Sequence, residues 1–577
     1  MARSRRFEHH RVRRVVSLDG CWRLRVPRDG ATIEPLDEAS GEERDFFVPG
    51  VWETLLGMEN YRGQAVARRT FEVAEAGAAR LVFKGVSHTA RVFVDGVEVG
   101  GHHNAFTAFA VDLPRLEAGE HELRVHITNE HGDASALHVP NDYYNYGGIN
   151  RPVELQRLNG SAYLGRVHVT PRREADRWVA GVEAEVVNLG GPIDGEVAVE
   201  LAGRRLSLGG AMGEGATQLS GEMSFEGVEP WSPGSPTLYM IDATLSVDGR
   251  VVDDWRDRTG FRTVEVAGGR LLLNGEPVFF VGFNRHEDHA EYGCALPESA
   301  QAQDIAMFKD LGANALRTSH YPNDERTLDL CDERGLMVWE ENHARGLNLE
   351  QMQHPRFDDQ CRDCIAEMIE QHYNHPSIVL WGILNECASQ TEAGRAKYAA
   401  QFEQIKSRDQ SRPTTFASCC HGTDICQDLP DVAGWNWYPN WYGQAGAGDR
   451  IGHHLAWLAG TPANDKPIIC SETGAGAIPG FRDPRRRAKW SEERQVELIE
   501  ELLDPLLGHE RLSGVFLWQF CDVRVDEAVA RGRPRTMNNK GVVDEYRRPK
   551  LSYEAVKRRF RAFTDGGGAG SVNRRES

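Results

Sequence analysis

Two glutamates stand at the ends of short apolar runs. His375-Pro376-Ser377 opens the first run, Ile378-Val379-Leu380-Trp381-Gly382-Ile383-Leu384, which stops at Asn385-Glu386. Lys466-Pro467 opens the second, Ile468-Ile469-Cys470-Ser471-Glu472. Runs of this length and composition read as parallel strands buried on both faces. A carboxylate just past such a strand sits at the rim of the sheet, where loops build active sites. A single Asn-Glu pair more often caps a helix than catalyses. Two strands that each deliver a glutamate to the same rim suggest two carboxylates working on one bond.

The elements that must carry them follow from the rhythm of the chain after Gly268, where strands begin to alternate with helical stretches. Val278–Arg285, Asn314–His320, Leu336–Glu340, the Glu386 run, Thr414–Ser418, Val432–Tyr438, the Glu472 run and Gly514–Phe520 make eight strands. Helical patterns such as Ser299–Leu311, Gln360–His372 and Glu492–Leu507 lie between them. Eight such repeats in about 300 residues predict a (β/α)8 TIM barrel, with Glu386 ending its fourth strand and Glu472 its seventh. The other strand ends carry Asn284-Arg285-His286-Glu287, Arg317-Thr318-Ser319-His320-Tyr321, Asn436-Trp437-Tyr438 and Trp518-Gln519-Phe520. Amides, hydroxyls and imidazoles suit the hydroxyls of a pyranose, and an indole suits its apolar face.

Before the barrel the chain is β throughout. Residues 1–160 hold alternating strands, among them Arg80–Val86, His121–Ile127 and Ala90–Gly100, the last broken at Asp95-Gly96, a dipeptide suited to a type I′ hairpin turn. They predict a β-sandwich. The loop Asn141-Asp142-Tyr143-Tyr144-Asn145-Tyr146-Gly147-Gly148 reads either as a sugar-contacting surface or as packing against a neighbouring domain. Residues 161–266 repeat the pattern in Trp178–Val187, Gly195–Leu206 and Leu238–Val247, as expected of an immunoglobulin-like sandwich. The barrel is expected over 267–565 and a disordered tail over 566–577.

Bulk properties exclude several classes. A formal charge of −19 argues against a nucleic-acid partner. No apolar run approaches the ~20 residues that span a bilayer, and the basic start Met1–His10 has no apolar stretch after it, so the chain is expected in the cytoplasm. Eleven scattered cysteines agree, and Cys361-Arg362-Asp363-Cys364 reads as reduced thiols on a helix rather than a metal site.

Taken together, Val48-Pro49-Gly50-Val51-Trp52, Asn145-Tyr146-Gly147-Gly148-Ile149, Trp231-Ser232-Pro233, Asn284-Arg285-His286-Glu287, Arg317–Pro322 and Asn374-His375-Pro376-Ser377 through Asn385-Glu386 resemble glycoside hydrolase family 2 over nearly the whole chain. The resemblance implies a jelly-roll-like sugar-binding sandwich, an immunoglobulin-like domain and a catalytic barrel. It implies a retaining mechanism with Glu386 as acid/base and Glu472 as nucleophile, Tyr438 beside the nucleophile, and Asn385 on the sugar 2-hydroxyl. Neither a cofactor nor a metal is implied. Thr536-Met537-Asn538-Asn539-Lys540-Gly541 resembles the Asn-x-Lys motif of members acting on uronic acids, so Asn538 and Lys540 are expected to hold a C6 carboxylate. Arg535 falls one residue nearer that motif than is usual, and Arg531 and Arg533 lie upstream. Asp142, Tyr438, Tyr442 and Trp518 match the β-glucuronidase branch, and His286 and Arg317 complete the expected substrate set. The expected activity is exo-hydrolysis of a small-molecule β-D-glucuronide by a homo-oligomer. β-Galacturonidase, β-galactosidase and a non-catalytic carbohydrate-binding protein are the alternatives.

Overall fold

The computed structural model describes residues 4–27, 41–442 and 447–566. The tail expected to be disordered lies, beyond Gly566, outside the described residues. The first sandwich packs a six-stranded sheet, ordered Glu42–Val48, Gly20–Val26, Gln64–Val73, Gly119–Thr128, Thr89–Val94, Val97–His103, with a four-stranded sheet of Arg14–Ser17, Val153–Arg157, Gly77–Phe83 and Phe109–Leu116. Inward residues of both sheets, such as Trp22, Phe46, Leu81, Phe83 and Val125, share one core. The Asp95-Gly96 turn has both residues at positive φ, 50° and 80°, as the type I′ geometry demands.

The second sandwich pairs Ala162–Glu174, Arg177–Asn188 and Gly215–Phe225 in one sheet, and Arg204–Met212, Ile193–Leu201, Tyr239–Val247 and Arg250–Thr259 in the other. Gly195–Leu206, expected as one strand, is instead the inner part of a hairpin. The chain reverses at Ala202 and Gly203, with φ of 46° and 76°. Apolar alternation at Val197, Val199 and Leu201 resumes out of phase at Leu206 and Leu208, so the turn shows in the pattern only as a change of phase.

Eight parallel strands close the barrel: β1 Phe280–Arg285, β2 Ala315–Thr318, β3 Met337–Glu341, β4 Ile378–Ile383, β5 Thr414–Ser418, β6 Val432–Asn436, β7 Ile468–Thr473 and β8 Leu512–Leu517. Each expected strand is present within a few residues. Helices α1 Glu298–Leu311, α2 Glu325–Arg334, α3 Phe357–His372, α4 Glu392–Arg408, α5 Ala447–Leu458, α6 Glu492–Leu506 and α7 Leu551–Asp565 surround it, and β5 runs to β6 without one. Cys361 and Cys364 are buried on α3, and all eleven cysteines are free thiols. Phe280, Ala315, Trp339, Leu380, Ile469 and Phe516 fill the barrel interior. Room for Trp339 comes from Gly382 on β4, where an added Cβ would stand 2.2 Å from the indole nitrogen.

Buried ion pairs join the parts. Arg5 binds Asp257 of the second sandwich at 2.9 Å and Asp329 of α2 at 2.8 Å, and Arg151 of the first sandwich binds Glu287 at 2.8 Å. The tyrosine loop packs and also reaches the barrel rim: the Tyr143 hydroxyl lies 2.8 Å from His343 Nε2, and Tyr146 donates to Asp288 at 3.1 Å.

Candidate active site

At the carboxyl ends of the strands lies a cavity of about 350 Å³ whose walls include both Glu386 and Glu472. β4 delivers the first through a strained turn. Leu384 and Glu386 sit at positive φ, 47° and 52°, a region that non-glycine residues hold only when their surroundings enforce it. Here the Asn342 side chain accepts from the Leu384 N–H, the Tyr398 hydroxyl donates to the Leu384 carbonyl, and the Glu386 N–H donates to the Ala417 carbonyl. β7 delivers Glu472 where its register with β6 and β8 slips, an irregularity of the kind that re-aims a side chain.

The two carboxyls have different partners. Glu472 Oε1 accepts from Arg317 Nη1 at 3.1 Å, and Oε2 accepts from the Tyr438 hydroxyl at 2.7 Å. Arg317 is not left to Glu472 alone, because its Nε and Nη2 grip Glu341 at 2.9 and 3.0 Å while the guanidinium lies over the Trp339 ring. Glu386 accepts a neutral amide N–H from Asn436 at 2.9 Å, with Arg345 more distant at 3.4 Å. Burial, and next the facing Glu386, push Glu472 up to about 7, against the opposing pull of Arg317 and Tyr438. That rise belongs to the pair, since two buried carboxyls facing each other resist carrying two charges. Against that rise, the Arg317 guanidinium and the Tyr438 hydroxyl favour the anion of Glu472, the form in which a carboxylate attacks as a nucleophile.

Opposite the glutamates the walls are basic. A two-stranded ribbon after β8, Val523–Arg524 with Met537–Asn538, carries Lys540 into the cavity. Its side chain is 2% exposed, and Nζ donates to the Tyr442 hydroxyl at 2.8 Å. Among the described residues it has no carboxylate partner within ion-pair distance. Burial, with help from Arg533, holds its ammonium below the ordinary lysine range. Asp142, from the first sandwich, is gripped by Arg533 at 2.7 and 2.5 Å and by Asn538 Nδ2 at 2.9 Å.

Of the substrate-contacting residues expected from the sequence, Asp142, Tyr438, Tyr442, Trp518 and Lys540 line the cavity. Tyr442 stands at its rim, 61% exposed. Four others lie in the wall behind. Arg317 orients Glu472, Glu341 and Asn385. Asn385 accepts from Arg317 at 2.8 Å and keeps its own buried Nδ2 without a partner. His286 packs edge-on to Trp518 and is kept neutral by burial. Asn538 turns one amide N–H to Asp142, at 2.9 Å. Arg535 is placed elsewhere: it bonds Glu545 at 2.5 Å with 35% of its side chain exposed. Arg533 points to the cavity instead, because Arg535 adopts φ +64 and the chain turns between the two. Asn436, Arg345, Cys419, His421 and Arg450 also line the cavity. Of these, Asn436 had a signal in the sequence, as the last residue of a strand.

Comparison with known proteins gives a consistent result. Family models described as the sugar binding domain, the family 2 domain and the TIM barrel domain of glycosyl hydrolases family 2 match residues 15–159, 162–262 and 264–564. The β-glucuronidase of Streptococcus agalactiae is 29% identical, with 95% of this chain and 96% of that one aligned. That of Mus musculus is 26% identical over 97% and 92%. Among solved structures, a GH2 β-galacturonidase from Eisenbergiella tayi bound to galacturonate is 48% identical with a TM-score of 0.91, covering 97% of this chain and 99% of that one. A Bifidobacterium dentium β-glucuronidase complexed with coumarin-3-O-glucuronide is 27% identical with a TM-score of 0.86, covering 96% and 98%.

Proposed function

The chain belongs to glycoside hydrolase family 2, and from that premise we propose that it releases a terminal β-linked hexuronic acid by double displacement. Glu472 attacks the anomeric carbon while Glu386 gives its proton to the departing oxygen. A glycosyl ester forms on Glu472. Its charge is then gone, so Glu386, now an anion, takes a proton from water as that water attacks the ester. Arg317 remains compensated by Glu341 throughout, which leaves Glu472 less tightly held and so a better nucleophile than under an undivided guanidinium.

One observation carries the uronate assignment: a buried ammonium without a carboxylate partner, Lys540, faces the cavity that holds both glutamates. An uncompensated buried cation is costly, and a substrate carboxylate would supply the missing charge. A neutral hexose could not. Glucuronide is the reading that the curated relatives support. A second reading, galacturonide, is favoured by one specific observation, the 48% identity to the Eisenbergiella tayi enzyme, well above the 27% shared with the Bifidobacterium dentium glucuronidase. Free thiols throughout the chain support placement in a reducing compartment such as the cytoplasm. Among the described residues no helix is long and apolar enough to cross a membrane.

The test is a panel of 4-nitrophenyl β-D-glucuronide, β-D-galacturonide, β-D-glucoside and β-D-galactoside. We expect turnover of a uronide over its neutral counterpart. Lys540→Ala should lower kcat/KM on the preferred uronide by about a hundredfold, the loss of a buried charge-assisted contact and of the charge behind it. A wild-type preference for a neutral hexoside would overturn the reading, and the ratio of the two uronides decides the C4 configuration.

A further inference from the structure

The catalytic cavity continues beyond the glutamates. A second cavity of about 420 Å³ adjoins it, and both have His421, Tyr438 and Arg450 in their walls. His421, in both walls, links it to Glu386: its Nε2 is 2.9 Å from the Asn436 carbonyl, and Asn436 donates its amide to Glu386. The group that leaves takes its proton from the acid, so it departs on this side.

The walls describe what fits there. Trp437 and Tyr438 offer aromatic surface. The ring nitrogens Trp437 Nε1 and His454 Nε2 are buried without a hydrogen-bond partner, in side chains 4% and 8% exposed. His454 is packed among the Trp435, Trp437 and Trp457 rings, and burial holds it down to about 3, so it stays neutral. Arg450 adds a fixed positive charge. It is exposed, and among the described residues it forms no ion pair. Its neighbours Arg345 and Arg533 are bound to Glu386 and Asp142.

We propose that this adjoining cavity is the subsite for the leaving group, and that it takes an acidic sugar: a second pyranose against the Trp437 and Tyr438 rings with a carboxylate on Arg450. This rests on the reading of the main cavity as a uronide site. The natural substrate is then an acidic oligosaccharide trimmed one residue at a time from its non-reducing end.

Three substrates sharing the same terminal uronate test it: the 4-nitrophenyl uronide, a disaccharide with a neutral hexose in the leaving position, and one of the same linkage with a hexuronate there. Wild type should favour the hexuronate over the hexose by about fivefold in kcat/KM, the worth of one partly exposed charge pair. Arg450→Gln should bring that ratio to about one, and Arg450→Lys should keep most of it. A ratio of one in wild type, or one that survives Arg450→Gln, overturns the proposal. Turnover of the nitrophenyl uronide with a flat disaccharide ratio removes the leaving-group subsite alone. No turnover of any uronide removes the uronide reading with it.

Discussion

Glu472 has two demands on it that conflict. Burial and the facing Glu386 favour its neutral form, with a value near 7, yet attack on the anomeric carbon requires the anion. Arg317 and Tyr438 hold the balance, one hydrogen bond to each oxygen. The sign for catalysis follows: Glu472 is protonated below its raised value, so kcat/KM should fall as pH drops through about 7. Glu386→Ala removes the second cause of the rise, so the acidic limb should move to lower pH in that variant. With a substrate bearing a very good leaving group, azide should rescue Glu386→Ala by attacking the glycosyl-enzyme and giving the β-azide. Glu472→Ala, which forms no such intermediate, should give no retained product. Equal rescue of both variants, or an unmoved limb, would mean the two roles are wrongly assigned. The glutamates were legible because each ends a recognisable strand. Arg533 and Arg535 were not told apart, since their directions are set by a loop in which Gly532, Arg535 and Thr536 all take positive φ. Arg345 and Arg450 carried no strand or motif signal at all.

At the scale of elements, the strands were the most readable part of the chain, because burial on both faces leaves a continuous apolar run that ends at the rim. What the runs conceal is how the rim is aimed. The left-handed turn after β4 and the slipped register of β7 arise from contacts with neighbouring strands, which no single segment contains. Gly382 shows the dependence between layers. A methyl group there would meet Trp339 Nε1 at 2.2 Å and Glu341 Cβ at 2.8 Å. Trp339 underlies the Arg317 guanidinium and Glu341 grips it, so the disturbance passes to Glu472. Gly382→Ala should therefore destabilise the protein by roughly 1–3 kcal/mol and lower kcat as well, read from thermal unfolding and uronide turnover. A variant with wild-type Tm and kcat would show that Trp339 does not hold the arginine in place. The hairpin at Ala202-Gly203 was missed for the converse reason, since both of its arms alternate and only the change of phase between Leu201 and Leu206 marks the turn.

The whole molecule brings together what the domains lack alone. The first sandwich supplies Asp142, which fixes Arg533 and Asn538 around Lys540 in the barrel, nearly 400 residues away in sequence. The sequence pointed to Asp142 through its tyrosine-rich loop and through family resemblance, but to its partners Arg533 and Asn538 and to the buried Arg5–Asp329 link not at all, because such pairings exist only once the chain is folded. A chain of net charge −19 thus presents Lys540, Arg345, Arg450 and Arg533 inside one cavity. Arg345 and Arg533 are compensated by Glu386 and Asp142, which leaves Lys540 and Arg450 as the cations open to a substrate carboxylate. The central claim joins this cavity to the two glutamates: a terminal uronate is held here while Glu472 takes its anomeric carbon. Incubation with a 2-deoxy-2-fluoro-β-D-hexuronosyl fluoride, followed by intact mass and peptide mapping, tests it most directly, because the fluorine slows hydrolysis of the ester and preserves it. We expect one uronosyl group per chain on the peptide containing Glu472, and no labelling of Glu472→Ala. A label on another residue, or no label from an enzyme that turns over uronides with inversion at the anomeric carbon, would contradict the account.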